Sequence, residues 1–121
     1  MPEGAPSVQV LERVQSICLA LPSATEQETW GNPTFRVRSK IFTLVQEVNG
    51  RLSIWIKAAP GVQGALIAQD GDRYFSPPYL GGRGWVGVLL DMQVDAQELA
   101  DLILDSYVLV APKSLAKQIT L

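Results

Sequence analysis

Asn49-Gly50 restricts the fold of this chain more than any other pair of residues. Both tolerate positive φ, and they stand between two stretches that alternate apolar and polar side chains, the pattern of a tight β-hairpin. The period-two alternation extends from Glu26 to Lys57. It divides into a short strand at Thr29-Trp30, a turn at Gly31-Asn32-Pro33, a strand over Thr34–Val37, a tight turn at Arg38-Ser39, a strand over Ile41–Glu47 and a fourth over Arg51–Lys57. The hairpin register decides which side chains share a face, because a one-residue slip exchanges the faces of a strand. A two-residue Asn-Gly loop pairs Glu47 with Leu52. A type I turn with Gly50 at a bulge position instead pairs Gln46 with Leu52, Leu44 with Ile54 and Phe42 with Ile56. The second register is expected, because it gathers Phe42, Leu44, Leu52, Ile54 and Ile56 on one face. It leaves Val45, Glu47, Ser53, Trp55 and Lys57 on a mixed, partly wet one.

Helical periodicity brackets these strands. Leu11, Val14, Ile17, Cys18 and Leu21 form one stripe of a helix over residues 8–21, with Ser7 placed to cap its start and Pro22 to end it. A weaker helix runs from Ala59 to Gln69. Pro60 suits its first position and Val62, Leu66 and Ile67 share a face, while Gly61 and Gly64 lower its propensity. Asp70-Gly71-Asp72 reads as a turn, Arg73-Tyr74-Phe75 as a short strand ended by Ser76-Pro77-Pro78, Gly81–Gly84 as a flexible loop and Trp85–Leu90 as a buried strand. In the last helix Asp95 and Glu98 make a capping-box pair, and Val94 and Leu99 occupy staple positions. Leu99, Leu102, Ile103, Ser106, Tyr107 and Val110 make its stripe, and Pro112 breaks it before a short restart through Lys113–Ile119. This order predicts an α+β, two-layer sandwich: an antiparallel sheet with helices packed on one face. At 121 residues it is one domain, residues 1–121.

Charge and residue usage narrow the chemistry. The formal net charge is −2, so attraction for nucleic acid has to come from local clustering rather than from the whole field. There is no histidine, which removes the commonest general base, the commonest metal ligand and any Ser-His or Cys-His dyad. The single cysteine, Cys18, excludes an intramolecular disulfide and lies on an apolar stripe. Asp70 and Asp72 flank Gly71 without the remaining ligands of a calcium loop, and Ser106 has no evident base. Neither an enzyme, a metal site nor a cofactor is expected. MPEGAPS lacks the basic and apolar regions of a signal peptide, and no apolar run approaches the roughly 20 residues of a membrane span. The expected protein is cytoplasmic, monomeric and without a membrane partner.

Several motifs occur together and in order: Leu21-Pro22, Trp30-Gly31-Asn32-Pro33-Thr34-Phe35, Lys40-Ile41-Phe42, Trp85-Val86, Leu90-Asp91, and Asp105-Ser106-Tyr107-Val108-Leu109-Val110-Ala111-Pro112-Lys113. In this set the chain resembles the MmcQ/YjbR family of small bacterial proteins over nearly its whole length. The family often has histidine where Asn32 stands. The resemblance implies a two-layer α+β sandwich likened to secretion-chaperone and frataxin-like folds. It also implies a DNA-binding role, a label given to members because exposed hairpins resemble a double wing.

Two groups of residues are candidates for function. Arg36, Arg38 and Lys40 form the densest basic cluster, with Lys57, Arg83 and Arg51 as neighbours around the hairpin turns, where a phosphate backbone could meet them. Against this stands a solvated strand edge protected by charge, with Glu26, Glu28 and Glu47 close enough to cancel the field. Trp30, Trp55, Tyr79 and Trp85 are candidates for a groove that takes a small ligand or a protein partner, against the plainer reading of core and lid aromatics. Gly81-Gly82-Arg83-Gly84 lacks the Gly-Lys-Ser/Thr of a phosphate loop.

Overall fold

The computed structural model describes residues 5–29, 31–92 and 95–119. Along the chain these form α1 (Ala5–Leu19), β1 (Ala24–Thr29), β2 (Asn32–Val37), β3 (Lys40–Val48), β4 (Arg51–Lys57), α2 (Val62–Gln69), β5 (Tyr74–Phe75), a 3₁₀ turn over Gly81–Arg83, β6 (Trp85–Leu89), α3 (Ala96–Val110) and α4 (Lys113–Ala116). The strands make one six-stranded antiparallel sheet in the order β1-β2-β3-β4-β6-β5.

The β3–β4 register differs from the expected one. Asn49 and Gly50 take φ of 53° and 77° and close a two-residue turn, so Val48 pairs with Arg51, Glu47 with Leu52, Val45 with Ile54 and Thr43 with Ile56. Positive φ at both central residues matches the right-handed twist of the flanking strands, so no bulge forms at Gly50. The bulge lies one strand boundary earlier. Phe35 pairs with Thr43 and Arg36 with Ile41, which leaves Phe42 as an extra residue in β3. Phe42 and Val45 therefore both reach the core, although three residues apart. Val45, expected on the wet face, is buried, and Leu44 passes to the opposite face beside Trp55.

Other boundaries also move. α1 is already helical at Ala5, so Ser7 lies inside it rather than at its cap. β1 is longer than the Thr29-Trp30 reading; Trp30 itself lies outside the described residues. α2 begins after Gly61, which holds φ 86°, rather than at Pro60. Gly81–Arg83 is a 3₁₀ turn rather than a flexible loop. Asp95 caps α3 by accepting from Gln97 N–H at 2.9 Å. Glu98 accepts from Arg73 Nη1 at 2.8 Å and from the Tyr74 hydroxyl, tying α3 to β5 rather than completing a capping box. The staple residue Val94 lies outside the described residues.

The core fills the space between one sheet face and the helices. Val14 and Cys18 of α1, Leu99, Ile103 and Tyr107 of α3 and Leu115 of α4 pack with Phe35, Val37, Phe42, Val45, Ile54, Ile56, Val86 and Val88 of the sheet. Cys18 is fully buried, and burial pushes its thiol up to about 12. The Tyr74 phenol also rises to about 12, first through burial and then through its hydrogen bond to the Glu98 carboxylate.

On the opposite face Gly87 of β6 pairs with Trp55 and Phe75. A Cβ on Gly87 would stand 2.2 Å from Phe75 Cζ, so the ring covers the glycine directly. Gly87→Ala is expected to cost about 1–3 kcal/mol in urea denaturation, and much less when Phe75 is already alanine. Equal costs in both backgrounds would show that the ring is not what excludes the side chain.

Candidate functional site

Antiparallel pairing brings the start of β3, the end of β4 and the start of β6 to one end of the sheet; Lys57 pairs directly with Trp85. Lys40, Lys57 and Arg83, distant in sequence, consequently line one hollow of about 290 Å³ together with Ile41, Trp85, Leu109 and Val110. An adjoining hollow of about 380 Å³ shares Lys57, Arg83 and Leu109 and continues over Ala58, Pro60, Gly82 and Gly84. Among the described residues no carboxylate lines either hollow. Among the described residues the ion pairs are made by other cations, Arg51 with Asp91 and Arg73 with Asp70 and Glu98.

Local contacts fix this end. Gln63 of α2 donates from Nε2 to the carbonyls of Gly81, at 2.9 Å, and Trp85, and so holds the turn that carries Arg83. Gly84 ends that turn at φ 87°, a conformation strained for any residue with a Cβ. Beneath, the Ser106 hydroxyl accepts from Lys57 N–H at 2.9 Å and donates to the Phe42 carbonyl at 2.6 Å. Ser106 is fully buried and committed to these two backbone groups. Sequence reasoning missed Gln63, which follows Val62 on a short helix with no polar pattern of its own.

The expected basic cluster is divided. Arg36 turns across the open face of the sheet, donating from Nε to Thr34 Oγ1 and from Nη2 to Thr29 Oγ1, each at 3.2 Å. Arg38 is exposed in the β2–β3 turn, where it and Ser39 hold φ of 52° and 71°. Arg51 sits at the opposite end of β4, bonded by both forks to Asp91 at 2.7 and 3.0 Å. That pairing holds the Asp91 carboxyl below its usual range. Glu26 lies on β1 and accepts from Gln15 Nε2 at 2.7 Å, outside both cationic hollows.

The aromatic candidates also separate. Trp55 and Tyr79 line a groove of about 200 Å³ on the open face with Asn32, Thr34, Leu44 and Leu80. Trp55 is its fixed floor: the indole N–H donates to Ser53 Oγ at 3.1 Å, and Ser53 Oγ donates to Gln46 O at 2.7 Å. Tyr79 is 98% exposed and holds φ 68°. Trp85 belongs instead to the wall of the cationic hollow, and Ile41 lines both sites. Among the described residues there is no cluster of metal-ligating side chains, and no helix is long and apolar enough to cross a membrane.

A six-stranded antiparallel sheet packed against helices, with a cation-lined end, defines a small α+β domain. The YjbR family model matches residues 19–109, and the chain belongs to the YjbR family. It is similar to the Deinococcus radiodurans protein DR2400, whose crystal structure carries the DUF419 domain. The TM-score is 0.75 and the identity 25%, over 92% of this chain and 88% of that one. No curated protein matches the sequence.

Proposed function

We propose that this chain is a non-enzymatic binding protein that engages nucleic acid through the sugar–phosphate backbone, at the sheet end formed by Lys40, Lys57 and Arg83. The carrying observation is the convergence of these three cations on one hollow that no carboxylate of the described residues lines. Cations so placed supply attraction that is independent of base sequence and weakened by salt. Arg38 is exposed on the turn that leads into Lys40. With a net charge of −2, this attraction has to come from local clustering rather than from the whole field. The absence of histidine and the commitment of Ser106 to backbone groups support a role without catalysis.

Reversing the three charges (Lys40→Glu, Lys57→Glu, Arg83→Glu) is expected to abolish retention of a short DNA duplex at low ionic strength. Arg36→Gln, at a side chain already bonded within the sheet, is expected to leave it nearly intact. Retention by a folded triple variant would overturn the reading.

Tyr79 favours a second reading, in which the open-face groove takes a protein partner or small ligand. A left-handed non-glycine backbone costs of order 1 kcal/mol, and here it holds an aromatic side chain in solvent. Under that reading Tyr79→Ala removes partner retention without altering the retention of DNA. Loss of neither, in a pull-down against the purified partner, would refute it.

A further inference from the structure

We propose that the trough between α2 and α3 binds a small amphipathic anion, with its apolar body under Leu109 and a single carboxylate or phosphate head against Lys57 and Arg83. The trough has a volume of about 330 Å³, lined chiefly by Ile56, Ala58, Val62, Leu102, Val108 and Leu109. It shares Lys57 and Leu109 with both cationic hollows, so the apolar and cationic surfaces meet at one pair of residues.

Three observations point to a ligand of this class. Val62 and Leu109 are 37% and 42% exposed and both line the trough; the other exposed large apolar side chains among the described residues, Leu19 and Tyr79, do not. The volume lies in the range of small-ligand sites, which combine an apolar lining with few polar groups. The charge is complementary at one end only. Asp105 also lines the trough, whereas no carboxylate of the described residues lines the hollow that carries Arg83, and the head group is placed there. Ser106 pins α3 to the Lys57 backbone, so one wall is pre-formed. The other wall is α2, which has no buried residue and packs lightly. A phosphate backbone has no use for the apolar lobe, so the inference goes beyond the nucleic-acid reading and does not rest on it.

The test is calorimetric titration of the full chain with decanoate and decyl phosphate below their micelle concentrations, with decanol and acetate for comparison. Saturable 1:1 binding of at least one of the two anions is expected, and the tighter of them identifies the head group. Decanol is expected to bind at least about tenfold more weakly, for want of charge-assisted hydrogen bonds, and acetate to give no saturable heat. Val62→Trp, at an exposed helix position outside both cationic hollows, fills the trough and is expected to abolish anion binding while DNA retention persists. Leu109→Trp fills it from the opposite wall and is expected to abolish anion binding as well. Arg83→Gln, which leaves Lys57 in place, is expected to narrow the preference for the anions over decanol. Absence of binding by both anions, equal affinity for decanol, or unchanged affinity in both tryptophan variants would overturn the inference. DNA retention by Val62→Trp, measured without the anions, reports on the other reading separately, since Val62 lines neither cationic hollow.

Discussion

Tyr107→Ala is expected to remove about 3–5 kcal/mol of folding stability, a large part of the roughly 5–15 kcal/mol that holds a domain folded. Tyr107 is fully buried. Its ring meets Phe42 edge-on, at 5.3 Å between centroids and 88° between planes. Its hydroxyl donates to the Pro22 carbonyl at 2.7 Å. One side chain thus joins α3 to the bulged residue of β3 and to the exit from α1. Truncation leaves a cavity, breaks an aromatic pair worth about 0.5–1.5 kcal/mol and orphans a carbonyl. Tyr107→Phe keeps the ring and should cost only about 1 kcal/mol. Urea denaturation reads both as midpoint shifts at unchanged slope. A loss below about 1 kcal/mol for the alanine variant would show that the site collapses freely and does not anchor the layers.

Ser106→Ala is the second large effect, expected at about 2–4 kcal/mol for the removal of a single oxygen. Its hydroxyl satisfies two buried backbone groups at once, the Lys57 N–H and the Phe42 carbonyl. Each buried group left without a partner costs about 1–3 kcal/mol. The same change loosens the end of β4 that carries Lys57, so exchange of the Lys57 amide should accelerate beyond the global loss of stability. Protection of that amide unchanged in the variant would mean that Ser106 does not hold the strand end.

Some of this fold is legible from residue spacing. The stripes Val14–Cys18 and Leu99–Ile103–Tyr107 identify the helices, and the apolar run from Trp85 identifies β6, because burial on one face imposes its period on the sequence. β1 is not legible: Ala24–Thr29 is almost wholly polar and is a strand because β2 supplies its hydrogen bonds. The bulge at Phe42 is equally hidden, since no glycine marks it. The bulge at Phe42 brings Phe42 and Val45 to the core face with Ile54 and Ile56, whereas Leu44, expected with them, lies on the opposite face. The candidate site is half visible. The cations are plain in the sequence, but neighbours in the chain diverge: Arg36 bonds to Thr34 and Thr29, and Arg38 occupies the turn. Lys40, Lys57 and Arg83 converge only because antiparallel strands begin and end together. Gln63, which holds the Arg83 turn, is identified by its contacts alone.

The most direct test of nucleic-acid binding at this end of the sheet is the dissociation constant for a short duplex across a range of ionic strength. If Lys40, Lys57 and Arg83 each neutralise one phosphate, the logarithm of the association constant should fall with the logarithm of salt at a slope of about −2.7, from roughly 0.9 per phosphate. The triple charge-reversal variant should show no such dependence. A slope near zero in the unaltered chain, or the full slope retained in the variant, would contradict the assignment.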